Sequence, residues 1–351
     1  TCFVDTIFKI IRYELLICIV TPKMLPPAAH ITLRRKRRCS QLEKTLLDNL
    51  IKSKAEHFGF SNRERSCMSF AIVVDSTCDM SLEELAALNV TMVPLTISVG
   101  GKDYLDQFEI SSAEFYERME AADELPKSAQ PSPAAFIDAF GKAQEKDGEG
   151  VLSINIAHVL SGTVGSAQLA ASQVNFPVEV VDCAGATAQC ALLVQEAARM
   201  RDADVNLADA ASQIKELIGQ TTFYIACETL ENLLKGGRLQ PQEAEAAAKL
   251  NIKPVMTFDE IGVLRAFDKV RGMSGVRKLY ASELAKLTEK RGRQRVRIAH
   301  ANSPAEAESL LRVLKDSGVD FADGGLCICG ATVGTHLGAG ALGMACITVQ
   351  D

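Results

Sequence analysis

Two continuous apolar runs, each breaking off in a hydroxyl-rich turn, constrain this chain most. Phe70-Ala71-Ile72-Val73-Val74 stops at Asp75-Ser76-Thr77, and Val151-Leu152-Ser153-Ile154-Asn155-Ile156 stops shortly before Leu160-Ser161-Gly162-Thr163-Val164-Gly165-Ser166-Ala167. Short runs that do not alternate with polar residues suit strands buried on both faces, as in a parallel sheet. After the second turn a small-residue run, 167–174, reads as a helix. A strand that ends in Ser-Gly-Thr and restarts as a helix leaves unpaired backbone N–H groups at the turn, where the helix dipole favours an anion. Ser161 adds a hydroxyl donor to that spot. The competing reading is that Ser161 or Thr163 only caps the helix.

The elements around these runs alternate. Capping boxes at Ser81–Glu84 and Ser111–Glu114 open helices reaching about Leu88 and Ala121. Between them lie a strand region, Val90–Val99, and a hairpin through Gly100-Gly101 into Lys102–Leu105. Pro126-Lys127-Ser128-Ala129-Gln130-Pro131-Ser132-Pro133 reads as a loop until Ser132 caps and Pro133 starts a helix to about Lys146. A strand at Val178–Val181 and helices at Ala186–Arg201 and Leu207–Ile218 complete a βα pattern over residues 68 to about 220. That pattern predicts an open, mainly parallel sheet covered on both faces, with ligands at the carboxyl ends of its strands. Ser76, Ser128 and Ser161 all fall in or near such loops.

The remainder reads differently. Thr221–Cys227 is a strand, and Leu230–Lys235 a helix stopped by Gly236-Gly237 before Arg238. Asn251–Phe258 and Gly262–Val270 form an antiparallel pair about Asp259-Glu260. Then come a helix at Met273–Lys290, a strand at Val296–Ala301, a helix at Pro304–Ser317 and a strand at Leu326–Cys329. His336 follows in a glycine-flanked turn, Gly330 to Gly340. Residues 221–351 therefore read as a mixed sheet with helices on one side.

Charge and cysteine usage narrow the function classes. Residues 1–67 carry 13 Lys and Arg against 6 Asp and Glu, which leaves about −13 on the rest of a chain whose net charge is −6. An acidic body argues against nucleic-acid binding. The basic run Arg34–Arg38 reads as a solvated, disordered stretch, and the first 67 residues as an extension, with Met68 as the natural start. Charges interrupt the apolar stretch Phe3–Val20, and its short Leu15–Val20 core is followed by Pro22, Pro26 and Pro27 with no clear small-residue cleavage site, so no membrane span or signal peptide is expected there. The 11 cysteines show no paired framework and no Cys-x-x-Cys, which suits a reducing compartment. No zinc motif, Walker A sequence or Rossmann fingerprint occurs. Ser161 lies outside a Gly-x-Ser-x-Gly elbow, and no acidic residue is tied by motif to His336. The residues on offer are hydrogen-bond donors for an anion rather than an evident activated nucleophile. An acyl hydrolase using Ser161 and His336, and a nucleotide- or phosphate-binding module, stay open as alternatives.

Five segments together resemble one family. Asp75-Ser76-Thr77, Ser128-Ala129-Gln130-Pro131-Ser132, Leu160-Ser161-Gly162-Thr163, Lys235-Gly236-Gly237-Arg238 and Gly334-Thr335-His336-Leu337-Gly338-Ala339-Gly340 resemble, in order and spacing, the DegV family of fatty-acid-binding proteins. The resemblance covers residues 70 to 350. It implies an α/β two-domain fold: an N-terminal three-layer α/β/α domain with a mainly parallel sheet (68–220), and a C-terminal two-layer domain with a mixed sheet (221–351). Some chain crossover between them is expected near 94–106. It also implies a cytoplasmic bacterial carrier without catalysis or cofactor of its own. Its ligand would be a long-chain fatty acid, hexadecanoate or similar, presented to a separate ATP-dependent fatty acid kinase for phospholipid synthesis. Carried over by position, Ser128, Ser161 and His336 would meet the carboxylate. Gly162, Thr163, Arg238 and Arg271 would support it or touch the partner. The chain departs from the family at Ala157-His158-Val159, at Ala339 where Pro is common, and at Ser128, which keeps the hydroxyl but not a threonine methyl.

Overall fold

The computed structural model describes residues 70–240 and 252–349; the expectations for residues 1–67 and for Met68 lie outside them. In chain order the first half runs β1 (Phe70–Asp75), α1 (Leu82–Ala87), β2 (Val90–Val93), β3 (Thr96–Val99), β4 (Lys102–Leu105), α2 (Ser112–Ala121) and β5 (Lys127–Ala129). It continues with α3 (Pro133–Asp147), β6 (Gly150–Asn155), α4 (Thr163–Ala171), β7 (Val178–Asp182), α5 (Ala188–Asp202) and α6 (Leu207–Ile218).

Strands β2-β1-β6-β7 form an all-parallel sheet. Every residue of β1 and β6 is buried, which is why neither alternates. Side chains still divide by period 2: Ala71 and Val73 face Phe136, Phe140, Ala167 and Ala170 of α3 and α4. Ile72 and Val74 face the opposite way, toward Leu192, Leu193 and Ile214 of α5 and α6. The caps work as their spacing predicts: Ser81, Ser111 and Ser132 hydroxyl oxygens accept from the N–H of Glu84, Glu114 and Ala135.

Two readings need correction here. The region Val90–Val99 is two strands in different sheets. Pro94 has no N–H to donate, and the next N–H, of Leu95, donates to Ser76 Oγ at 3.1 Å. The chain therefore leaves the parallel sheet, and β3 pairs with β4 and β5 in a small antiparallel sheet. The proline-rich segment before α3 is not all loop either. Lys127–Ala129 is β5, an edge strand set opposite β3 with Ser128 facing Ile97. Prolines flanking a strand of three residues hide it from propensity.

The second half runs β8 (Thr222–Ala226), α7 (Glu231–Lys235), β9 (Ile252–Phe258), β10 (Leu264–Arg271), α8 (Gly272–Arg291) and β11 (Gln294–His300). It ends with α9 (Pro304–Asp316), β12 (Phe321–Ile328), α10 (Ala331–Leu337) and β13 (Leu342–Thr348). The six strands lie in the order β10-β9-β8-β13-β11-β12, antiparallel except for the β11–β12 pair. Helices α8 and α9 cover one face, with Val276, Tyr280, Leu284 and Leu310 packed on Tyr224, Val255 and Met344. The other face packs on α5 and the first half. The α/β class, with a parallel N-terminal sheet between two helix layers and a mixed C-terminal sheet, is thus observed.

A buried arginine forms an ion pair between the halves. Arg297 on β11, 1 % exposed, donates from Nη1 and Nη2 to the two carboxylate oxygens of Glu84 on α1, both at 2.7 Å. Its Nη1 also donates to Gly324 O at 2.7 Å. Removing one partner strands a buried charge, whereas replacing both with apolar groups need not. Glu84→Ala is therefore expected to lower stability in urea unfolding by about 3 kcal/mol. Glu84→Leu with Arg297→Met should recover most of that loss.

Candidate functional site

A cavity of about 350 Å³ lies between the two sheets. One wall comes from loops after the parallel strands, Ile156, Leu160–Gly162 and Ala186-Thr187, with Leu95 and Ser128–Gln130 of the small sheet beside them. The facing wall is Phe223, Ile225, Phe258 and Leu264 of the mixed sheet. Leu233 and Arg238 close one side, with Thr332, Val333, His336 and Leu337 of α10. The lining is mostly apolar, with Ser128 beside His336 and the Ser161 turn tied to the His336 side through Arg238.

Each polar residue is placed by a local constraint. Ile156 N–H donates to the buried Asp75 carboxylate at 2.8 Å, which ends β6. The Ala157 carbonyl then accepts from Leu160 N–H at 2.9 Å and Ser161 N–H at 3.1 Å, forming a tight turn that carries Ser161. Helix α4 starts at Thr163, four residues before the expected 167, and ends at Ala171. Its N-cap is Gly162, which has no side chain to cap with, and Ser161 Oγ accepts from Thr163 N–H at 3.4 Å, so Ser161 also serves the helix start. Ser161 Oγ lies 2.8 Å from Thr163 Oγ1. Gly162 is needed because Gln130 lies across it: a Cβ there would come within 2.0 Å of Gln130 Oε1. Gln130 is fixed in turn by donating to Ser166 Oγ at 2.9 Å.

The glycine-flanked segment around His336 is helix α10 rather than a turn. Its N-terminus is held by carboxylates distant in the chain. Asp106 accepts from Ala331 N–H and Thr332 N–H at 3.1 Å each and from Thr332 Oγ1 at 2.6 Å. Asp79 accepts from Gly330 N–H at 2.9 Å. Burial is the main influence on Asp75, Asp79 and Asp106 and raises all three above the usual carboxylate range, Asp79 well above it. Neither Asp79 nor Asp106 is visible as a site residue in the sequence. Their partners on α10 lie more than 200 residues away and no motif connects them.

At the other end of α10, His336 Nε2 lies 3.3 Å from Ser128 Oγ, while Nδ1 is buried without a hydrogen-bond partner. The ring rests on Gly236, where a Cβ would come within 2.3 Å of Nδ1. So Gly236 does more than stop α7: it makes room for the imidazole. Arg238 Nε donates to Leu160 O at 3.2 Å and Nη1 to Gly236 O at 2.5 Å, tying the Ser161 turn to the His336 side. Burial first, and the Arg238 charge second, push His336 down to about 4, so it is neutral at pH 7. An orphaned buried N–H is rarer than an orphaned lone pair. The favoured tautomer therefore keeps the proton on Nε2, donating to Ser128 Oγ and leaving the Ser128 O–H free to donate into the cavity.

The structure thus brings Ser128, Ser161, Gly162, Arg238 and His336 to one cavity. Thr163 is buried behind Ser161. Arg271 ends β10, exposed and outside the lining. Gln130, Thr187 and Thr332, not singled out in the sequence, also line the space. The imidazole faces Ser128 and not Ser161, and no carboxylate orients its other nitrogen, so Ser161 and His336 do not form a nucleophile–base pair here. A His–carboxylate pair does occur at His158 and Asp182, 2.6 Å apart, but it is outside the lining. Among the described residues, no three metal-ligating side chains cluster, seven cysteines are free and buried, and no helix is long and apolar enough to cross a membrane.

The family model described as "Uncharacterised protein, DegV family" matches residues 69–349. The chain belongs to the DegV family. A DegV domain-containing protein of Deinococcus radiodurans is 35% identical over 278 residues, 79% of this chain and 98% of its own length. Among solved structures, a fatty-acid-binding DegV family protein from Thermus thermophilus superposes with a TM-score of 0.75 at 28% identity, covering 80% of this chain and 100% of that one. DegV, a fatty acid binding protein from Bacillus subtilis, gives 0.71 at 27% identity, covering 80% and 100%.

The depressed His336 value carries a pH dependence. Between about 4 and 6.5 the unfolded chain binds a proton at this residue that the native protein does not. Its contribution to stability is full above pH 6.5 and is lost as pH falls toward 4. Urea unfolding of ligand-free protein is expected to show wild type losing roughly 3 kcal/mol over that interval relative to His336→Gln.

Proposed function

We propose that this DegV-family protein binds a long-chain fatty acid, hexadecanoate or similar, and presents it to a separate ATP-dependent fatty acid kinase. The observation that carries the reading is an apolar cavity with hydroxyls and a neutral imidazole gathered at one end, in a family whose solved members from Thermus thermophilus and Bacillus subtilis bind fatty acids. In this reading Ser128 and Ser161 donate their O–H groups to the carboxylate, and His336 orients Ser128. Gly162 and Thr163 shape the turn behind them. Arg238 adds positive charge at the same end, and Arg271, on an exposed surface, is a partner contact.

Neutral donors suit a carboxylate that must still react. On the kinase, a carboxylate oxygen would attack the γ-phosphorus of ATP, the bond to ADP would break, and an acyl phosphate would result; the carrier's part is to hold the oxygen in line. Affinity would come from the tail. Burying about 14 methylenes at ~0.8 kcal/mol each is worth roughly 11 kcal/mol before ordering costs, against about 1.5–3 kcal/mol for each hydrogen bond to a charged group.

Native mass spectrometry of protein expressed in bacteria tests the reading. Fatty acid near one per chain, released on denaturation, is expected; empty protein that also takes up no added palmitate would contradict it. Ser161→Ala should weaken binding by about 1–3 kcal/mol and reduce kinase-dependent acyl phosphate formation further. Saturable turnover of activated acyl esters by wild type, abolished in Ser161→Ala, would instead support a hydrolase.

A further inference from the structure

We propose that Asp79 carries a proton in the folded protein at neutral pH, and that this uncharged acid seats the start of α10 and so holds His336 against Ser128. The link to the ligand rests on the fatty-acid reading above; the proton does not.

Three carboxyl groups, Asp75, Asp79 and Asp106, are buried where the turn after β1 meets the start of α10. Donors are divided unequally among them. Asp75 accepts from Thr77 N–H at 2.9 Å, from Thr77 Oγ1 and from Ile156 N–H at 2.8 Å, which occupies both of its oxygens. Asp106 also accepts on both oxygens, from Ala331 N–H, Thr332 N–H, Thr332 Oγ1 and Ser76 Oγ. Asp79 accepts on Oδ1, from Gly330 N–H at 2.9 Å, while its Oδ2 is buried without a partner. A carboxylate met by several donors can keep its charge in a buried site, whereas one with a bare oxygen is better off neutral.

The groups that face Asp79 act in the same direction. A Cβ on Gly330 would stand 2.9 Å from Asp79 Oδ1 and 3.3 Å from Asp106 Oδ1. The two carboxyl groups therefore approach to within about 6 Å, where like charges oppose ionisation. Asp75 adds a second negative charge from the end of β1. Arg297 on β11 is the opposing cation, and its Nη1 and Nη2 are committed to Glu84 and Gly324 O. Burial keeps the other titratable groups around the cluster uncharged: Cys78 in the same turn, Tyr116 on α2, Cys190 on α5, and Cys327 and Cys329 on and after β12. Helix α10 brings no titratable side chain to this end. Among the described residues no three metal-ligating side chains converge, so the cluster is not shaped to share a metal ion. Neighbouring acids whose surroundings push them apart divide into a base and an acid. Here Asp106 is the anion and Asp79 the acid.

The proton matters because of what Asp79 touches. Its Oδ1 receives the N–H of Gly330, the N-cap of α10, and His336 lies on that helix with Nε2 3.3 Å from Ser128 Oγ. Ionised, Asp79 would be a third buried negative charge with one oxygen unmet, and it would turn toward solvent. Gly330 N–H would then lose its acceptor and α10 its seat. Asp79 lies outside the cavity lining, so it is a positioning residue that acts through α10.

Asp79→Asn and Asp79→Ala test this. Asparagine is uncharged, nearly the same size, and suits the left-handed backbone here, φ 53°. An acid protonated when folded and ionised when unfolded costs stability as pH rises. In urea unfolding, the unfolding constant of wild type relative to Asp79→Asn should therefore rise about tenfold per pH unit between about pH 5 and 7. A ratio that stays constant over that range would overturn the proposal. Alanine does not titrate either, so the same slope against Asp79→Ala keeps the test available if the asparagine variant does not fold. At pH 7, Asp79→Ala should bind palmitate roughly tenfold more weakly, through loss of the Gly330 acceptor, and Asp79→Asn should recover most of that loss. An asparagine variant as weak as the alanine one would show that α10 needs a charge there, and would also overturn the proposal. Palmitate binding by none of the three proteins would remove the fatty-acid reading and leave the slope to decide the proton.

Discussion

The carboxylate of Asp106 holds together parts of the chain that have no other reason to meet. It accepts from Ser76 Oγ in the turn after β1, and from two backbone N–H groups and one hydroxyl at the start of α10. Ser76 Oγ in turn accepts from Leu95 N–H, where the chain departs for the small sheet that carries Ser128. His336 is one turn further along α10. The 3.3 Å approach of His336 to Ser128 is therefore fixed by a buried acid whose own partners lie on two separate segments. A fully bonded buried acid of this kind can hold one geometry because leaving any of its partners unpaired is costly.

From that anchor the chemistry of the cavity follows. Its polar end combines the Ser128 and Ser161 hydroxyls, an imidazole that burial keeps uncharged, and the Arg238 guanidinium, which spends two of its N–H groups on backbone carbonyls. Such an end can orient an anion by hydroxyl donors while the arginine adds positive charge without being free to clamp it. The aromatic and aliphatic wall opposite supplies non-directional affinity. In the proposed reading, orientation and affinity thus fall to different residues.

The parallel strands, the capped helices and the β9–β10 hairpin were legible because each depends on local pattern: apolar runs, a serine three residues before a glutamate, a short polar turn between apolar segments. Strand β5 and helix α10 were not. Three residues between prolines carry no periodicity, and a seven-residue helix of small residues reads as a glycine-rich turn until a distant aspartate caps it. The candidate site residues divide in the same way. Ser161 stood out from its strand–turn–helix setting, and Ser128 and His336 from the family resemblance. The roles of Gly162 and Gly236 emerge only in three dimensions, because each is small to admit a side chain from another element, Gln130 in one case and His336 in the other. Arg271 marks the opposite limit: the resemblance brought it into the candidate set, and the fold sets it on an exposed helix start outside the cavity lining.

The most direct measurement is a crystal structure of the protein with a saturated fatty acid bound. The account predicts carboxylate oxygens within hydrogen-bond distance of Ser128 Oγ and Ser161 Oγ, His336 Nε2 still directed at Ser128, and the acyl chain lying along the apolar wall of Phe223, Ile225 and Phe258. An acid lying the other way round, with its carboxylate among the phenylalanines or in solvent, or a cavity occupied by something other than an acyl chain, would contradict it.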